Sequence, residues 1–163
     1  LFFIILILLF LFSGYLNKIF FVLLFITLGG ISKFYHRFLK TTIGIDLVFF
    51  TSVITSLVYG KMPGIIVAIL GLLIADTIGA RFSHTSLISL LALTCVVVLS
   101  GFFTQIEITT AALILAIVYE IIAAALYSIM GSSPQGIFIF IVSHLAFNSF
   151  LVFSFANTLK QIM

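Results

Sequence analysis

Residues 108–159 read ITTAALILAIVYEIIAAALYSIM, then GSSPQG, then IFIFIVSHLAFNSFLVFSFANTL. Two long apolar runs, Ile108–Met130 and Ile137–Leu159, flank the turn Gly131–Gly136. Each run matches the roughly 20 apolar residues that cross a bilayer as a helix. Glycine, serine and proline between them mark a tight reversal. The segment therefore predicts an antiparallel pair of membrane-spanning helices, each interrupted by one ionisable residue, Glu120 and His144.

The rest of the chain repeats the pattern. The apolar runs Ile43–Tyr59, Ile65–Ala80 and Leu87–Phe103 are separated by Gly60–Gly64, Arg81–His84 and Thr104–Glu107. Pro63 is suited to the start of a helix. Toward the N-terminus, Leu1–Phe12 is too short to cross unless the chain continues upstream, and Ile19–Ile31 follows the break Ser13–Lys18. The expectation is an all-α polytopic membrane bundle of about six helices, with a possible extra short N-terminal helix, in one transmembrane domain over residues 1–163.

Composition agrees. Hydrophobic residues make up 64% of the 163 and charged residues 7%, against roughly 25% charged in soluble domains. Lipid must therefore solvate most of the surface. The net charge of +3 reads as orienting charge rather than as a nucleic-acid surface. The cluster Lys33, His36, Arg37 and Lys40 is placed on the cytoplasmic side, and alternation adds Arg81 to that side. Lys18, Lys61, Glu107 and Lys160 fall on the other. With no tryptophan, Tyr15, Tyr35, Tyr59 and Tyr127 are expected as interfacial anchors. Cys95 is read as a small hydrophobe.

Ionisable groups in hydrocarbon cost about 2.5–3.5 kcal/mol on insertion scales and so need partners. Glu120 lies before the Gly131–Gly136 turn and His144 after it, at similar distances. At 1.5 Å per residue both sit roughly 12–15 Å below one membrane face. A carboxylate beside an imidazole can share a proton or hold a ligand. Asn148, one turn from His144, and Tyr119, next to Glu120, complete a candidate ligand-binding patch. The alternative is an interhelical hydrogen bond that only satisfies buried groups. Asp46, at the start of its span, suits the positive end of a helix dipole. Asp76 is expected to pair with Arg81 or a loop lysine. Gly64, Ala68, Gly71, Ala75 and Gly79 form a small-residue stripe for close packing against another helix or a partner protein.

No phosphate loop, zinc-protease helix, cysteine pair or serine-hydrolase motif occurs in the sequence. No enzymatic role, metal or cofactor is expected, and active transport would need energy from another subunit.

The stretches Gly44-Ile45-Asp46-Leu47-Val48-Phe49-Phe50-Thr51, Tyr59-Gly60-Lys61-Met62-Pro63-Gly64 and Gly71-Leu72-Leu73-Ile74-Ala75-Asp76 resemble the substrate-binding (S) subunits of energy-coupling-factor transporters. Ser143-His144-Leu145-Ala146-Phe147-Asn148 looks like their final helix. The glycine-spaced residues leading to Asp76 are also similar to those of the rod-shape protein MreD. The first resemblance implies a solute-uptake module that binds cargo from the outer side, docks a coupling protein through small-residue faces and is driven by paired ATPases. Glu120, His144, Asn148 and Tyr119 would then contact a small-molecule solute. The second implies a ligand-free scaffold or an accessory subunit of a larger membrane complex.

Overall fold

The computed structural model describes residues 13–38, 43–80 and 82–163. The expected segment Leu1–Phe12, Lys40 and Arg81 lie outside the described residues. Six α-helices follow one another: α1 Ser13–Ser32, α2 Val48–Tyr59, α3 Lys61–Ile78, α4 His84–Leu99, α5 Ile108–Ile129 and α6 Pro134–Ile162. Short 3-10 turns occupy Phe34–Arg37 and Ser100–Phe102.

Among the described residues, five stretches are long and apolar enough to cross a membrane: Gly14–Arg37, Lys61–Ile78, His84–Phe102, Ile108–Ile129 and Pro134–Ile162. Large apolar side chains such as Leu23, Leu91, Ile121 and Phe153 are exposed along them. Together these are the features of an integral membrane protein, because water would not tolerate such a surface.

The sixth helix, α2, is different. It has 12 residues, and its first nine, Val48–Ser56, are all buried. It touches each of the other five helices. A helix walled by protein need not be as long as the bilayer is thick. Its hydroxyl residues are satisfied locally: Ser52 donates to Val48 O at 2.6 Å, Thr55 to Thr51 O at 2.6 Å and Ser56 to Val53 O at 2.8 Å.

The run Ile43–Tyr59, expected as one span, is helical only from Val48. Two local causes stop it. Asp46 Oδ1 accepts the Val48 N–H at 3.0 Å, which fixes the start of α2. Gly44 lies directly on α6: a Cβ there would sit 2.5 Å from His144 Cβ and 3.0 Å from the Phe140 carbonyl oxygen. The Gly44 N–H donates to Ser143 Oγ at 2.8 Å. Twelve residues at 1.5 Å each cover about 18 Å of a core about 30 Å thick, so α2 starts roughly 12 Å inside the bundle. Non-helical backbone at such depth is stable only where protein or a polar cavity surrounds it.

Other boundaries shift slightly. Gly60, at φ 92°, breaks the chain between α2 and α3, so α3 begins at Lys61 rather than at Pro63. At α4 the Ser83 N–H donates to Ser86 Oγ at 3.2 Å. Ser133 accepts the Gly136 N–H at 3.2 Å, and Pro134 opens α6 within the expected turn.

The small-residue stripe of α3 is spent inside the molecule. Gly64, Ala68, Gly71 and Ala75 are buried. A Cβ at Gly64 would run into Ser56 of α2, and one at Gly79 would meet the Lys33 carbonyl oxygen at 3.1 Å. This face packs against α2 and the end of α1.

Helix ends sort into two groups. Asn17 Nδ2 donates to Met163 O at 2.9 Å and Tyr59 OH donates to the same oxygen at 2.8 Å. The Lys61 ammonium lies 5.5 Å from the centre of the Phe102 ring at the same end. The opposite end gathers Lys33, Gly79, the start of α4 and the α5–α6 turn.

Candidate functional site

Two polar layers occupy the half of the bundle nearest Lys33. The deeper one joins α5 to α6. His144 Nδ1 and Glu120 Oε1 form a short hydrogen bond, with the two residues 1% and 4% exposed. Three rings enclose the imidazole: Phe140 stacks on it at 5.3 Å between centroids, Tyr119 lies at 4.9 Å and Phe49 meets it edge-on at 5.4 Å. Asn148 is fully buried, and its Nδ2 donates back to the His144 carbonyl at 3.0 Å. The sequence-predicted patch of Glu120, His144, Asn148 and Tyr119 is thus assembled in one place, closed by aromatic rings. Two acceptors in it, Glu120 Oε2 and Asn148 Oδ1, have no hydrogen-bond partner.

The shallower layer is ionic. Lys33, after the end of α1, reaches Asp76 Oδ1 of α3 at 3.0 Å and Asp46 Oδ2 at 3.7 Å. Asp46 and Asp76 are 8% and 5% exposed. Their sequence roles were local, a helix start and an Arg81 or loop-lysine pair. The observed partner is the loop lysine Lys33, which serves both. Opposite charge within about 4 Å is what makes such burial tolerable.

Above this layer lies a cavity of about 340 Å³. Its wall carries Lys33, Asp46 and Asp76 together with the hydroxyls of Ser89 and Tyr127 and the ring of Phe140. Ser89 Oγ and Tyr127 OH are 2.7 Å apart, and the Tyr127 ring meets Phe140 edge-on at 5.6 Å. Tyr127, expected as an interfacial anchor, instead turns into the bundle. Ser133, exposed on the rim, marks where the cavity reaches the surface at the Lys33 end.

A second void of about 20 Å³, bounded by Lys33, Asp46, Phe49, Tyr119 and Phe140, lies between the layers. Glu120, His144 and Asn148 do not line the larger cavity; Phe140, which stacks on His144, does. Lys33, Ser89 and Tyr127 are the site members that sequence reasoning missed. Lys33 was assigned to an orienting cluster and Tyr127 to the interface, whereas Ser89 carried no signal. Cys95 is exposed on the outer face of α4, away from the site.

No protein-family model matches the chain, and no curated protein or solved structure matches it at a significant level.

Proposed function

We propose that this chain is the membrane-embedded solute-binding subunit of a multi-component uptake system, energised by separate ATPase subunits. One observation carries the reading: the roughly 340 Å³ cavity inside the bundle, walled by buried ions, hydroxyls and aromatic rings. Its size falls at the lower end of ordinary small-molecule sites, about 300–1,000 Å³. Placing charges inside an apolar bundle costs stability, and cargo recognition gives that cost a purpose. The break before α2 adds support, since interrupted helices in membrane transporters commonly end at the binding site. A ligand-free scaffold of the MreD kind is less well served, because it calls for a packed centre and an outward small-residue face.

The side of the membrane follows from this reading. The positive-inside rule would put the Lys33–Lys40 loop in the cytoplasm, but uptake requires the cavity to open outward, and the cavity opens at that same end. Lys33 is neutralised by Asp76 and Asp46, so it contributes little to the basic excess there. Without it, Arg37, Lys40 and Arg81 stand against Lys18, Lys61 and Lys160, and charge no longer decides. In this proposal the Lys33 end faces outward.

The test is to reconstitute the tagged full chain in nanodiscs and release any retained small molecule into native mass spectrometry. A retained solute is expected, together with its loss on Asp76→Asn and co-purification of ATPase subunits from source membranes. A chain that carries no solute and brings down only a morphogenetic or redox assembly would defeat the proposal.

A further inference from the structure

We propose that the cargo carries an organic ammonium group, and that Asp46 receives it. This inference rests on the solute-binding reading and specifies the chemistry of the same cavity. Among the described residues, the charged groups lining it are Lys33, Asp46 and Asp76, with His36 beside them. Two carboxylates therefore share one ammonium among the described residues.

The two carboxylates are not equivalent. Lys33 Nζ is within hydrogen-bond distance of Asp76 Oδ1 at 3.0 Å, but stands 3.7 Å from Asp46 Oδ2. Asp76 is the committed partner of the lysine. Asp46 spends Oδ1 on the Val48 N–H at 3.0 Å. That contact sets the carboxylate at the N-terminal end of α2, which favours negative charge. Its other oxygen stands 3.7 Å from Lys33 Nζ, which it shares with Asp76. A buried carboxylate, 8% exposed, that makes the longer of two contacts to a shared ammonium is the one that a cationic cargo can reach as a second partner.

The remaining wall fits the same cargo. Phe140 and Tyr127 add aromatic rings to the lining, a residue type that attracts cations, and the Ser89–Tyr127 hydroxyl pair supplies hydrogen bonds without charge. An anionic cargo would gain one ammonium and face two carboxylates. Lys33 is itself an example of a primary ammonium bound by Asp76 at this site.

The experiment uses the nanodisc-reconstituted full chain and three probes with one aromatic body: phenethylammonium, phenethyl alcohol and phenylacetate. Binding is read by equilibrium dialysis. The ammonium should bind about tenfold or more tighter than the alcohol, and phenylacetate weakest. Asp46→Asn, which keeps an acceptor for the Val48 N–H, should cost the ammonium about tenfold while leaving the alcohol unchanged. Phenylacetate binding best, and losing that affinity in Lys33→Met, would overturn the cation assignment while leaving the solute-binding reading intact. Equal loss of both ammonium and alcohol in Asp46→Asn would overturn it too, by reducing Asp46 to a structural cap. If none of the probes binds and no solute is retained, both proposals fall together.

Discussion

Glu120 and His144 meet across the α5–α6 interface through Oε1 and Nδ1, twenty-four residues apart in sequence and buried under three aromatic rings. The bond ties α5 to α6 and does not line the cavity. Removing one partner strands the other in an apolar layer. Glu120→Ala should therefore destabilise the chain by about 1–3 kcal/mol, the cost of an unsatisfied buried polar group. Glu120→Gln, whose amide still bonds the imidazole, should retain most of that stability and keep cargo binding within a few-fold. Thermal unfolding in detergent, with binding measured on the same preparations, checks both. Loss of binding in a fully stable Glu120→Gln variant would make this layer a contact site instead.

Gly44 and Gly71 both sit in buried small-residue contacts, but they predict different outcomes. A methyl group at Gly44 would be forced against His144 Cβ at 2.5 Å and the Phe140 backbone at 3.0 Å. Overpacking of that kind costs about 1–3 kcal/mol, and here it pushes directly on His144 and Phe140. At Gly71 the added carbon would meet only Val48 Cγ1, at 3.6 Å, an ordinary contact. Gly44→Ala should lower the melting temperature and Gly71→Ala should leave it nearly unchanged or raise it, as measured by differential scanning fluorimetry of the purified chain. Equal effects would mean that the backbone of residues 43–47 does not lie on α6.

The contrast also shows what the sequence could reveal. Glu120 and His144 were legible because a Gly-Ser-Pro turn lies between them at nearly equal distances, and antiparallel helices translate equal distances into equal depth. The break before α2 was not, because Ile43, Ile45 and Leu47 are as apolar as the helix that follows. Hydropathy cannot tell an apolar non-helical segment from another turn of helix. The ionic layer was hidden for a different reason. Lys33, Asp46 and Asp76 come from three separate elements, and each has a sufficient local explanation, so only the packing of α1 and α3 around α2 brings them together. The all-α architecture, with six helices among the described residues, was readable from apolar run lengths, because lipid imposes them.

Glu107 offers a control outside the site. It precedes α5, and its Oε2 accepts the Thr110 N–H at 2.8 Å. Backbone donation from Thr110 and then Thr109 holds its carboxyl at about 2, down from an ordinary 4.5. A depressed folded pKa contributes stability that is complete above the ordinary value and is lost as pH falls toward the depressed one. The melting temperature of the natural chain should therefore drop between about pH 4.5 and pH 2 partly through this cap. Glu107→Gln should show a shallower decline over that window and no difference in cargo binding at neutral pH. Identical pH profiles would mean the carboxylate does not cap α5 in the membrane-embedded protein.

Sidedness decides whether the cavity can serve uptake, and it is testable without knowing the cargo. Ser133 is exposed at the cavity rim, whereas Thr104 is exposed in the α4–α5 loop at the opposite end. Cys95 is the one native cysteine, so Cys95→Ala gives a blank background for Ser133→Cys and Thr104→Cys. In intact cells a membrane-impermeant maleimide should label Ser133→Cys, and Thr104→Cys should react only after permeabilisation. The Ser133→Cys signal should also fall when a saturating bound probe occupies the cavity, because the rim residue shares its wall. Labelling in the reverse order would restore the cytoplasmic placement of the Lys33–Lys40 loop. The cavity would then open to the inside, and the direction of transport, rather than the presence of a binding site, would have to be reassigned.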